Sequence, residues 1–409
     1  MAIVALVFAA VLASLAALIV IPAPNFPLLP LGVAAPEYAP YLALAGLVTA
    51  VVASSLLHDR LGLAIAALGG VGVLFALPVL VGYPSLVTKA DAALRRLPHD
   101  RGWLVSPYAP FARLGRAGAT VDENEPVPLR DGTTLGLDLY RPMTPGLHPA
   151  VVVIYGGAWA FGDRTSARPL ALVLARAGYA VAMVDYRHVP AVRSPVPLHD
   201  VEDALAVLAR RAPAWRIDPA RIAVLGRSAG AQLALVLAST PQPVRIAAAV
   251  GIYAPLDLVG GYEERPKPDP ADIRAILRGY LGGPPDAEHL AAYRAASPQT
   301  YAAALRAPTL LLTGTSDELV LPKFQRRYAA TLERAGTPTV ALEVPLANHA
   351  FDEVPCGRGA AFERAVLLRF LAATLSSGDR SPPSDGRTPL ARPMANSRRS
   401  IGRETSRPK

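Results

Sequence analysis

The sequence predicts an α/β protein: a mostly parallel, doubly wound sheet with an inserted cap, preceded by a bundle of about three transmembrane helices. Three observations lead there. From about residue 120 to 375, short apolar runs rich in β-branched residues alternate with helical stretches. Residues 256–306 break that alternation with a long, Pro-rich, partly helical segment. The first 88 residues carry only three charges, Glu37, Asp59 and Arg60.

Over 409 residues the composition is 52% hydrophobic and 18% charged, where a soluble globule carries nearer a quarter charged residues. Such hydrophobicity excludes disorder for most of the chain. A single cysteine excludes an intramolecular disulfide framework and any multi-cysteine metal site. The net charge of +9 is not a nucleic-acid signature. More than half of it sits in the tail 376–409, with eight basic and three acidic residues. Arginine is nowhere interleaved with aromatics, so nucleic acid is rejected as a partner. The tail, rich in Ser, Pro, Gly and Arg, reads as a disordered basic end, with weak attraction to anionic lipid as its sharper role.

Within residues 1–88, taken as the anchor, three apolar runs over 2–21, 41–57 and 61–82 read as membrane-spanning helices, since about 20 residues of helix cross the hydrocarbon core. A Pro-rich stretch from Pro22 to Pro40 separates the first two, and His58, Asp59 and Arg60 form a polar turn before the third. The first run lacks the basic start of a signal peptide, and the later runs lack the polar face of a buried soluble helix. Orientation follows the flanking cations. Arg60 lies on one side; Lys89, Arg95, Arg96 and Arg101, in the juxtamembrane linker 89–119, lie on the other. The domain that follows is therefore expected on the cytoplasmic side.

In the domain 120–375, segments 127–129 and 135–140 flank Asp131–Gly132, a hairpin signal. Strands are expected over 150–155, 180–185, 222–225, 247–253, 308–313 and 339–344. Helices are expected over 169–177, 200–211, 229–239, 323–335 and 359–375. Chemistry in such sheets sits at the strand C-termini. There, Gly226, Arg227, Ser228, Ala229 and Gly230 form G-x-S-x-G between a strand and a helix, a sharp turn that pushes a serine hydroxyl clear of the sheet. A serine nucleophile needs a base, and the base an orienting carboxylate. Of seven histidines, only His349 follows a late strand. Asp317 follows the strand 308–313, and the order Ser, Asp, His suits this fold. Glu318, adjacent, and Asp257, after strand 247–253, are rival acids. Backbone amides for a developing oxyanion are expected from Ala229 and from the glycine-rich turn Gly156, Gly157 and Ala158.

With these residues the chain resembles the α/β-hydrolase esterase/lipase group: hormone-sensitive-lipase-like esterases, feruloyl-esterase-like enzymes and prenylcysteine methylesterases. Tyr155 through Trp159 resembles their H-G-G-x-W turn, Asp185-Tyr186-Arg187 their D-Y-R segment, and Asp218-Pro219 with Arg221-Ile222 their approach to the serine. Ala296-Ser297-Pro298 and Asp317 through Pro322 follow the same pattern. The resemblance covers about 125–375. It implies Ser228 as nucleophile, Asp317 as acid and His349 as base, with the amides of Gly157, Ala158 and Ala229 forming the oxyanion hole and Gly156 shaping the turn. No metal or organic cofactor is implied. A small-molecule ester is the expected substrate, lipid-like where the anchoring bears on it, and membrane lipid is a further expected partner. Tyr155 stands where the group has histidine, so altered support of that loop is expected rather than loss of activity. Amidases, formamidases and peptidases use the same triad; an inactive hydrolase fold serving as a membrane scaffold is the alternative from another class.

Overall fold

The computed structural model describes residues 2–100, 102 and 118–376. Arg101, most of the expected linker and all but the first residue of the expected tail lie outside the described residues.

The N-terminal part holds α1 (Ala2–Ala17), α2 (Leu29–Glu37), α3 (Ala39–Leu56) and α4 (Arg60–Leu94). Among the described residues, α3 and α4 are the helices long and apolar enough to cross a membrane. The first expected run ends its helix at Ala17, and turns carry the chain to Pro22. The Pro-rich stretch was expected to delay the next helix, yet it contains α2. Pro30 falls in the first turn of that helix, where a missing N–H costs nothing. Contact between α3 and α4 depends on two glycines. A Cβ on Gly46 would lie 2.5 Å from the Gly69 carbonyl oxygen, and one on Gly69 would lie 2.5 Å from that of Gly46. Small residues of this kind let helix backbones approach in lipid.

The helix expected over 61–82 continues to Leu94. At about 1.5 Å per residue its 35 residues reach well past a ~30 Å hydrocarbon core. The excess is absorbed by the domain: Tyr83, Leu86, Ala90 and Leu94 are buried against the sheet. Arg369, itself buried, fastens this end by donating to Asp91 at 2.7 Å and to Asp100 at 2.6 and 2.7 Å.

The domain is one eight-stranded sheet: β1 (Ala119–Pro128), β2 (Thr134–Pro142), β3 (His148–Ile154), β4 (Ala180–Val184), β5 (Ile217–Arg227), β6 (Ile246–Ile252), β7 (Thr309–Gly314) and β8 (Thr339–Val344). Their spatial order is β1-β2-β4-β3-β5-β6-β7-β8. β1 and β2 pair antiparallel and β2 runs antiparallel to β4; every later pairing is parallel. Covering helices are α5 (Arg168–Arg176), α6 (Val196–Arg211) and α7 (Ala229–Ser239). The cap holds α8 (Leu258–Glu263), α9 (Ile273–Leu281), α10 (Leu290–Ala296) and α11 (Pro298–Tyr301). Last come α12 (Pro322–Arg334) and α13 (Arg358–Leu375). Strand periodicity divides the core. In β3, Ala150, Val152 and Ile154 face the layer of α6, α7 and α12. Val151 and Val153 face α4, α5 and α13. A strand covered on both faces must be apolar at every position, which is why 150–154 reads as an unbroken run.

The N-terminal part also docks on the loop after β8. Tyr38 donates its hydroxyl proton to the Pro355 carbonyl at 2.7 Å, and Tyr83 to that of Arg358 at 3.0 Å. Glu37 accepts from the Gly359 N–H in the first turn of α13, a position that favours a carboxylate. Its burial nonetheless pushes its pKa up to about 7.

Candidate active site

Ser228 joins the end of β5 to the start of α7. Its backbone is left-handed, φ 49° and ψ −121°, a conformation that costs a non-glycine residue about 1–3 kcal/mol and marks a constrained turn. Two glycines make the turn possible. A Cβ on Gly226 would lie 2.1 Å from the Gly230 carbonyl oxygen, and one on Gly230 would lie 2.2 Å from that of Tyr155.

Three expected residues converge there. His349, in the loop after β8, places Nε2 2.9 Å from Ser228 Oγ. Its Nδ1 lies 2.9 and 3.1 Å from the two Asp317 carboxylate oxygens. Asp317, just past β7, is itself fixed: its Oδ1 accepts from the backbone N–H groups of Leu319 (2.9 Å) and Val320 (2.7 Å). Both Asp317 and His349 are buried. The loops carrying His349 and Asp317 are further bound through Asn348, whose Oδ1 accepts from the His349 N–H at 2.7 Å and the Glu318 N–H at 2.9 Å.

The rival carboxylates are engaged elsewhere. Glu318 accepts from Asn348 Nδ2 at 2.6 Å and from the Ala23 N–H at 3.0 Å, and burial pushes its pKa up. Asp257 caps α8, accepting from the Gly260 N–H at 2.9 Å.

Gly156, Gly157 and Ala158 follow β3 directly. Gly157 (φ 124°), Ala158 (φ 52°) and Trp159 (φ 58°) are all left-handed, which turns this loop back towards the serine. A Cβ on Gly156 would lie 3.1 Å from that of Ser228. Ala158, Ser228 and His349 line one cavity of about 70 Å³, with cap residues Leu258, Ile273 and Ile276 and α12 residue Phe324 forming its apolar walls. Tyr155 braces the loop by a reciprocal exchange with Tyr186: each hydroxyl donates to the other's carbonyl at 3.2 Å, and the rings stack 4.5 Å apart. The Tyr155 hydroxyl also lies 2.8 Å from His188 Nε2.

Sequence reasoning missed Asn348, although it is the residue directly before His349. It also missed Gln232, which accepts from the Trp159 indole N–H at 2.9 Å and donates to the Ala296 carbonyl at 2.7 Å, tying loop to cap. Trp159 in turn stacks on Tyr280 at 4.1 Å. Beneath the serine turn, Arg227 is buried in ion pairs with Asp352 (2.7 Å) and Glu363 (3.1 Å). A polar residue inside a G-x-S-x-G strand end was the available signal.

A strand–serine–helix turn, a histidine bridging it to a carboxylate, and a cap over the strand ends define an α/β-hydrolase site. Comparison with known proteins agrees. The BD-FAE family matches residues 137–332. Probable carboxylic ester hydrolase LipM of Mycobacterium tuberculosis is 32% identical over 256 residues, 58% of each chain. The uncharacterized protein Rv2307c of the same organism is 30% identical over 62% of this chain and 80% of its own. Among solved structures, a bacterial heroin esterase is 27% identical with a TM-score of 0.56, covering 72% of this chain and all of that one. An esterase from Pyrobaculum calidifontis is 25% identical with a TM-score of 0.54, covering 71% and 94%. The chain has the α/β-hydrolase fold and is similar to esterases of the hormone-sensitive-lipase-like kind. It spans about three fifths of the length of LipM and of the M. tuberculosis esterase LipQ (58% and 62%).

Proposed function

We propose that this protein is a membrane-anchored serine hydrolase that cleaves carboxylic esters through Ser228, His349 and Asp317. The observation that carries the reading is the continuous chain of contacts from Ser228 Oγ through the imidazole to the Asp317 carboxylate. The names of the esterase relatives support the ester as substrate class.

In the reaction, Ser228 Oγ forms a bond to the ester carbonyl carbon while its proton passes to His349 Nε2. Asp317 holds the Nδ1–H tautomer and stabilises the imidazolium. The N–H groups of Gly157, Ala158 and Ala229 receive the negative charge that collects on the carbonyl oxygen. Collapse breaks the carbon–oxygen bond to the alcohol, which takes the proton from His349. Water, deprotonated by the same imidazole, then releases the acid and frees Ser228. A fluorophosphonate probe tests the site: it labels Ser228 covalently in the full chain, mapped by peptide mass. An unlabelled Ser228 in folded protein would refute the assignment.

Anchoring is assigned to α3 and α4, with α1 packed beside them, and the cations Lys89, Arg95 and Arg96 around the end of α4 support a catalytic domain on the cytoplasmic side. Cys356 offers a direct check, being the sequence's single cysteine and exposed on the domain. In intact spheroplasts a membrane-impermeant maleimide leaves it unlabelled, and lysis makes it reactive. Equal labelling before and after lysis reverses the orientation.

A further inference from the structure

The cavity at Ser228 is too small for a long chain. At about 70 Å³ it is roughly half the ~150 Å³ apolar cavity that accommodates benzene. A second, larger space of about 200 Å³ lies on the other side of the acid loop. One wall is the end of the first apolar run, Leu18 through Pro22; the other is the cap segment Pro266, Lys267 and Pro268. Ser316, Asp317 and Asn348 line it as well. Pro266 and Leu321 line both spaces, so the two share a partition beside the triad.

The chemistry of the cleft is mixed in a specific way. Both Glu318 oxygens are already occupied, one by the Ala23 N–H and one by Asn348 Nδ2, so its carboxylate seeks no partner from a ligand. The anchor's contribution is purely aliphatic. At the mouth Val20 and Ile21 are 40% and 52% exposed, and they continue the exposed stripe Val4, Val7, Phe8 and Val11 along α1. That stripe follows helical spacing, one apolar face turned outward. The apolar surface of α1, broken at the exposed Ser14, thus leads from the helical bundle towards the loop that carries Asp317. Lys267, exposed, lines the same cleft and offers a cation that a lipid phosphate could meet.

We propose that the cleft between residues 18–22 and 266–268 admits the long apolar part of a bilayer-resident amphiphilic ester, which reaches Ser228 from the membrane side and not from the aqueous phase. This rests on the ester-hydrolase reading and narrows its substrate to lipid-like esters. The anchor then acts as part of the substrate site as well as a tether.

Gly32 lines the cleft, and a Cβ there would meet Ala23, Glu318 and Asn348 only at 3.6–3.7 Å, ordinary contact distance. Gly32→Phe therefore fills the cleft from one wall. The test compares the full chain and this variant in phosphatidylcholine vesicles, on a palmitoyl ester and on a water-soluble butyrate ester. Rates are counted per fluorophosphonate-reactive Ser228, so misfolded protein does not enter. The palmitate-to-butyrate ratio of kcat/KM falls about tenfold or more, the effect of losing two buried methylenes or more. A ratio within twofold of the parent, with Ser228-dependent butyrate hydrolysis intact, overturns the cleft and leaves the hydrolase reading standing. No Ser228-dependent hydrolysis of either ester removes that reading and this proposal with it. Independently, a diazirine-bearing palmitoyl ester in the same vesicles crosslinks to the peptide containing residues 18–22; crosslinks confined to α3 and α4 overturn the proposal.

Discussion

Ser228→Ala lowers kcat/KM for a short carboxylic ester by about 10⁴-fold or more, leaving the remnant that binding and oxyanion contacts alone can give. The size follows from the role: without Oγ no acyl-enzyme forms, and His349 has no proton to accept. Folding is not expected to confound the result. Alanine at φ 49° is as strained as serine, and the Ser228 N–H keeps its bond to the Ile252 carbonyl at 2.9 Å. The variant should therefore unfold at the parental temperature. Residual hydrolysis within tenfold of the parent would mean that another nucleophile carries the reaction.

The parts of this site legible in the sequence are those set by local rules. Gly226 and Gly230 are required by backbone approaches near 2 Å, so the serine turn is written in five consecutive residues. Strands β3, β4, β6 and β7 show as apolar runs because both faces are covered. Less visible was whatever depends on distant chain. β1 begins at Ala119, well before the expected 127, because its N-terminal half is an exposed antiparallel edge whose burial pattern lacks an apolar run. The end of α4 carries charges, Lys89 and Asp91, that mimic a linker; only the facing Arg369 makes Asp91 part of the fold. Glu37 looked like a stray charge in an anchor. Its partner at α13 is 322 residues away. Glu318, 295 residues from Ala23, likewise joins the N-terminal part to the loop of Asp317 by a hydrogen bond that no spacing rule anticipates.

That pairing separates the two adjacent carboxylates. Asp317→Asn is expected to lower kcat by about 10³–10⁴-fold, because an amide at this position favours the wrong imidazole tautomer and cannot stabilise the imidazolium. Glu318→Gln is expected to stay within about tenfold, since its partners are the neutral N–H donors of Ala23 and Asn348 and not the imidazole of His349. Glutamine can still accept from the Ala23 N–H through its single carbonyl oxygen, but its amide then meets Asn348 Nδ2, donor against donor. The cost falls on the positioning of Asn348, and through it on the loop that carries His349. The two variants differ in a second readout as well. Fluorophosphonate labelling requires an activated Ser228, so it slows steeply in Asp317→Asn and persists in Glu318→Gln. If instead Glu318→Gln lost activity as severely as Asp317→Asn, with labelling abolished in both, the acid would be Glu318, and Asp317 would serve only to cap the turn through Leu319 and Val320.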